Sequence, residues 1–276
     1  TQIKNEHMKQ KKFLLTGLLT FAIASQTFAG SKIQIIHNAA DPAAAVVDVY
    51  LGPALIIDDF AFRTATAFLD VPSGVPLVVS IAPSTSTSVL DAIADNQNYV
   101  AVANGVLNPA TFATNPDGEA TAFNILVTSG LSLTAGDPGN VDFVVLHGAT
   151  DAPSVSVYAR GVAQLIPSAT YTDFTSYISV PAASYIVDVT PAGAVIPVVA
   201  AYTADLSSLA GGTAVILASG FLDPAANMDG EAFALIAVLT DGTVITLPSA
   251  ATATLQVIHN SADPAAEVVD IYVEEV

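Results

Sequence analysis

The stretch Ile33-Gln34-Ile35-Ile36-His37-Asn38-Ala39-Ala40-Asp41-Pro42, followed by Val46-Val47-Asp48-Val49-Tyr50, decides how the chain is read, because it occurs three times. It returns as Val141 to Tyr158 and again as Leu255 to Tyr272. Each copy is an apolar alternating run that ends on a histidine (His37, His147 or His259), then a short turn that carries an aspartate (Asp41, Asp151 or Asp263), then a second apolar run that closes on a tyrosine. The three histidines stand 110 and 112 residues apart. A repeat of that length is about one small domain, so the chain reads as a tandem array.

Within the first unit Ile33, Ile35 and His37 share one strand face and Gln34 and Ile36 the other, while Val47, Val49 and Leu51 alternate with Asp48 and Tyr50. Further strands are expected at Phe62 to Leu69, Val75 to Ile81 and Tyr99 to Ala103. A closing hairpin, Phe123 to Thr128 with Leu131 to Leu133, is expected to turn at Ser129-Gly130. The second unit repeats the landmarks in order. Val71-Pro72 matches Val180-Pro181, Leu77 to Val79 matches Tyr185 to Val187, Asn104-Gly105 matches Ser219-Gly220, and Asp117-Gly118-Glu119 matches Asp229-Gly230-Glu231. Its closing hairpin falls at Asp241-Gly242, a strong two-residue turn signal. Short β-branched runs punctuated by Gly, Pro, Asn and Asp favour an all-β fold of tandem immunoglobulin-like antiparallel β-sandwich domains. Only Val89 to Ala94 suggests a short helix.

These landmarks set the expected boundaries: residues 1-29 as upstream residues plus signal peptide, 32-133 as the first sandwich, 140-247 as the second, and 254-276 as the truncated start of a third. Thr134 to Gly139 and Pro248 to Ala253, rich in small residues, Gly and Pro, are expected to be linkers. The third copy holds only the first two strands of a unit, which are marginal alone in water. It is therefore expected to be mobile or to add onto an edge of the second sandwich, in a chain that is a fragment of a longer array.

The N-terminal segment reads as an address. Met8-Lys9-Gln10-Lys11-Lys12 is basic, Phe13 to Ala24 is apolar, and Thr27-Phe28-Ala29 offers the small residues a signal peptidase reads. Cleavage after Ala29 and export to the exterior or the cell surface are expected. The apolar core is too short to span a bilayer, and no later stretch is a transmembrane candidate. Without residues 1–29, three basic residues (Lys32, Arg63 and Arg160) face 24 acidic ones, a formal charge of about −21. So acidic a chain repels phosphate backbones and anionic lipid, so a nucleic-acid partner is not expected. The absence of cysteine removes disulfides, thiolate zinc sites and thiol nucleophiles.

The strand ending in His, the small-residue turn with Asp-Pro, and the Val-Asp-Val-Tyr run resemble the secreted bacterial and archaeal repeat known as domain of unknown function 4397. The resemblance covers about 240 of the 276 residues. Copies one and three match closely. Copy two departs, with Gly148 in place of the Asn, Ser156 in place of the Asp, and two fewer residues between His147 and Tyr158. The resemblance implies an exported surface or matrix β-domain, commonly in tandem, and implies no activity.

The candidate chemistry lies in two motifs. His37 with Asp41, His147 with Asp151, and His259 with Asp263 lack a third metal ligand; a scaffold role is expected, with the imidazole bonding the turn and the carboxylate capping its N–H groups. The carboxylates Asp117 and Glu119, and Asp229 and Glu231, flank a glycine and are candidates for Ca²⁺, although two carboxylates seldom suffice and the EF-hand spacing is missing. A paired-carboxylate glycosidase has no other support. Ser84 to Ser88 reads as a polar loop tip. No nucleophile elbow, zinc-protease helix, phosphate loop or dinucleotide fingerprint occurs, and no catalytic activity or cofactor is expected. The expected function is a structural spacer or adhesive module meeting surface or matrix proteins or glycans. A Ca²⁺- or glycan-binding module is the alternative and a hydrolase the third.

Overall fold

The computed structural model describes residues 30–72, 77–82, 87–90, 96–250 and 258–270. The expected all-β sandwich forms. In the first unit the strands are β1 (Lys32–His37), β2 (Val46–Leu51), β3 (Ala54–Ala61), β4 (Leu69–Asp70), β5 (Leu77–Ala82), β6 (Thr87–Leu90), β7 (Asn98–Asn104) and β8 (Asn124–Ser129). They make two sheets, ordered β4-β1-β7-β8 and β3-β2-β5-β6. The second unit contains β9 (Asn140–His147), β10 (Val155–Ala159), β11 (Ala163–Ala169), β12 (Ile178–Pro181), β13 (Ser184–Pro191), β14 (Ala200–Asp205), β15 (Thr213–Ser219), β16 (Ala234–Leu239) and β17 (Val244–Thr246). Its sheets run β12-β9-β15-β16-β17 and β11-β10-β13-β14, the same order with one strand added at an edge.

Pairing is mostly antiparallel, but each unit contains one parallel pair, Ile35 opposite Ala101 in β1 and β7 and Val145 opposite Ile216 in β9 and β15. The two strands of such a pair need a long crossover rather than a tight turn. Here that crossover is the whole opposite sheet. Hairpin β2-β3 stays within one sheet, whereas the second and third strands of a constant-type immunoglobulin domain lie in different sheets.

Several local expectations are corrected. Of the run Phe62 to Leu69 only Leu69 is in a strand, β4, and β3 lies earlier, after the Gly52-Pro53 turn. Ser129-Gly130 does not make a hairpin; Leu131 leaves the strand and is buried at 6% exposure, with the Asn98 side chain donating to its carbonyl at 2.7 Å. The hairpin at Asp241-Gly242 does form, with Gly242 at φ 88° and Val238 opposite Val244. Val89 and Leu90 belong to strand β6 rather than a helix, and residues 91–95 lie outside the described residues. So do the signal segment and most of Ser84 to Ser88.

The four sheets stack. Ile33, Ile35, Val47, Val49, Val79 and Ile81 fill the interior of the first sandwich. The opposite face of its β1-β7-β8 sheet carries Ile36, Val100, Val102 and Leu131, which join Leu146, Val215, Leu217 and Ile236 of the second unit in one buried cluster. Strand β1 is thus buried on both faces, with Ile33 and Ile35 toward the sandwich interior and Gln34 and Ile36 toward the second unit. By register, Ile36 corresponds to Leu146, Val100 to Val215 and Val102 to Leu217, so each unit presents the same face to the other.

The segments expected to be free linkers are tied down where described. Ala135 donates to Gly211 and Ala182 to Gly139, each at 2.9 Å. Pro248 accepts from Thr203 and Ala250 donates to Ala201, both at 2.8 Å, so this segment runs along β14. Residues 258–270 of the third copy contain no strand and do not extend that edge; residues 255–257 and 271–276 lie outside the described residues.

Candidate functional site

The repeated motif is a clamp at the end of the first strand of each unit. The His37 ring is fully buried, against Phe60 and Phe62. Its Nε2 lies 2.7 Å from the Ala44 carbonyl, and the Ala39 N–H donates to Nδ1 at 3.3 Å. A carbonyl can only accept and an amide N–H can only donate, so the ring is the neutral Nε2-protonated tautomer with both nitrogens satisfied. Burial drives its pKa down to about 4, and the bond to Ala44 opposes that shift. Asp41 accepts from Ala43 N–H at 2.8 Å to cap the Pro42–Ala44 turn, and from Leu107 N–H at 2.8 Å to fasten the loop after β7.

The copies differ as their spacing requires. With two residues fewer, His147 Nε2 reaches Pro153 O at 3.0 Å, six residues on instead of seven. Burial likewise lowers its pKa. Asp151 accepts from Leu222 N–H, Asp223 N–H and the Asn227 side chain, fastening the loop after β15. In the third copy His259 Nε2 lies 2.6 Å from Ala266 O and Asp263 accepts from Ala265 N–H at 2.9 Å, the same turn although exposed. In the first two copies the carboxylate oxygens and His37's ring nitrogens are engaged by the chain itself, and His147 Nδ1 is buried without a partner.

One departure of copy two, Gly148, lies at the contact between units. Gly148, the counterpart of Asn38, faces Asn38 itself, whose amide donates to Asn104 Oδ1 at 2.8 Å and to Ala218 O at 3.3 Å. A Cβ on Gly148 would overlap that amide and sit 2.8 Å from Ala218 O. Only one of the two facing positions can carry a side chain. Ser156 replaces an aspartate because its site is fully buried; its hydroxyl donates to Pro167 O and accepts from Gly193 N–H.

The paired carboxylates do not converge. Asp117 accepts from Ser154 N–H and Oγ at 2.6 and 2.7 Å, a bond between units that holds its carboxyl below the usual range. Glu231 lies near Arg63, which donates across the interface to Ser219 Oγ, Ser219 O and Ala232 O. Neither Glu119 nor Asp229 joins a group of three ligands. Among the described residues the one such group is Asp48, Asp58 and Asp59 on the exposed β2-β3 hairpin, where Asp59 and then Asp48 raise the pKa of Asp58. The sequence analysis missed it because a bulge in the β2-β3 register brings these residues together.

A cavity of about 540 Å³ lies between the two sheets of the second sandwich, lined by Val145, Val157, Leu165, Val187, Val189 and Ile216 among others. The second unit's core is accordingly split into two clusters, around Tyr202 and Leu235 and around Phe143 and Val180. No family model matches the chain, and no curated protein matches it.

Proposed function

We propose that the chain is an exported or cell-surface repeat module without catalytic activity, a spacer or adhesive block whose partners are surface or matrix proteins or glycans. The observation that carries this reading is the shared core between units, where Ile36, Val100 and Val102 pack on Leu146, Val215 and Leu217. Cross-unit bonds from Gln34 to Leu239 O and from Arg63 to Ala232 O reinforce it. Sandwiches joined by a core rather than a tether transmit load and hold a fixed length, as a spacer must. The histidine and aspartate clamps serve the same end, since they fasten the turn and loop at the end of each unit's first strand.

Calorimetry tests the mechanical part. Two fused sandwiches melt as one cooperative transition with equal calorimetric and van't Hoff enthalpies; two well-separated transitions would count against the block. Labelling intact cells with an antibody to the chain tests its location, and signal seen only after permeabilisation would remove the spacer reading.

A further inference from the structure

We propose that the second sandwich binds one neutral, lipid-like apolar molecule in the cavity between its sheets. The first sandwich is the internal control, having the same strand order and, among the described residues, a tightly buried core. Ile35, Val49, Val79 and Ile81 are at most 1% exposed. Their counterparts by register, Val145, Val157, Val187 and Val189, are all partly exposed and line the cavity. The aliphatic type is kept and the filling is not.

The added strand explains the opening. In the first unit β6 packs on β8 and closes one side of the sandwich. In the second, β17 lies beyond β16 at that edge, and the chain then crosses to β14, where Pro248 and Ala250 bond to Thr203 and Ala201. That side is spanned by a strap instead of by two strands in contact. The lining residues Val199 and Leu222, 60% and 53% exposed, mark the approach from solvent.

Chemistry selects the occupant. A volume of about 540 Å³ falls within the range of small-molecule sites, roughly 300–1,000 Å³. The lining is almost wholly aliphatic and aromatic; it contains no lysine or arginine, burial lowers the pKa of its one histidine, His147, and Asp205 stands exposed at its rim. A fatty-acid carboxylate drawn inside would be buried without a counter-charge, and one left at the rim would face the like charge of Asp205; both are unfavourable. A long-chain alcohol, ester or isoprenoid meets no such penalty.

The full chain is titrated with N-phenyl-1-naphthylamine, a neutral probe that brightens in apolar surroundings, then challenged with 1-dodecanol or with dodecanoate at mildly alkaline pH. The expected result is saturable brightening with one probe per chain, displaced by dodecanol and at least about tenfold less readily by dodecanoate. Val157→Phe and Val189→Phe fill the cavity and should weaken the probe about tenfold with the β-sheet circular dichroism retained. Should either lose that signal, the milder Val157→Leu carries the test, with an expected weakening of about threefold. No saturable brightening of the parent chain, equal displacement by dodecanoate, or full affinity in a folded filled variant overturns the proposal.

Discussion

Gly148→Ala is the sharpest perturbation of the contact between units. Gly148 is not held in the left-handed region, so alanine costs nothing in backbone conformation, and the effect isolates packing. The new Cβ would overlap the Asn38 amide and stand 2.8 Å from Ala218 O and 2.9 Å from Asn104 Oδ1. Overpacking of this kind costs about 1–3 kcal/mol. Displacing Asn38 also gives up its bond to Asn104 and leaves buried polar atoms unpaired, a further penalty of about 1–3 kcal/mol. A total of about 2–6 kcal/mol corresponds to a fall in Tm of roughly 4–24 °C at about 2–4 °C per kcal/mol for a chain of this size. Thermal denaturation followed by circular dichroism reads it directly. Asn38→Gly placed in the same chain should recover part of the loss, since the side-chain overlap goes while the Ala218 carbonyl remains, giving a coupling of about 1–2 kcal/mol. A Tm within about 2 °C of the parent, or no coupling between the two sites, would refute the reasoning that these positions meet.

Arg63→Ala should cost about 2–4 kcal/mol, because Ser219 and Ala232 lose donors, and should split the single calorimetric transition in two; an unchanged profile would mean the guanidinium adds nothing to the join. The pH dependence follows from His37. Its folded pKa of about 4 lies below the ordinary value near 6.5, so the unfolded chain binds more protons between those limits. Stability is full above about pH 6.5, falls as pH drops toward 4 and is flat below, with a total on the order of 3 kcal/mol. Urea midpoints across that window should show this slope, and a His37→Gln variant should show less of it. His147 contributes in the same direction. Asp41→Ala removes the turn cap and the bond to Leu107, an expected loss of about 2–4 kcal/mol, and hydrogen exchange at the Leu107 amide should rise; an amide that stays protected would show that the loop holds without the carboxylate.

The repeat was legible because histidine and aspartate recur at fixed offsets, and the strands they bound carry a period of two. Matched landmarks fall at equivalent places: Val71 donates to Ser31 O just before β1, and Val180 stands opposite Val141 at the start of β9. The pairing of β1 with β7 was not legible, since alternation tells which face a residue takes and not which strand lies beside it. The contact between units left a trace that the alternation reading passed over. Ile35-Ile36 and Val144-Val145-Leu146 are apolar in both phases, the mark of a strand covered on both sides. The Gly52-Pro53 turn signal that precedes β3 was likewise present. The cavity left no trace, because Val157 and Val189 are the same kind of residue as Val49 and Ile81, and whether a valine meets a neighbour or a void is decided by how far apart the sheets are held.

The face shared by the two units has a consequence of parity. Each contributes the same positions, so the contact is self-complementary and is used up once two units have met. Such a contact closes; it does not propagate. With both matching faces already spent on each other, no further unit can join the pair through that face.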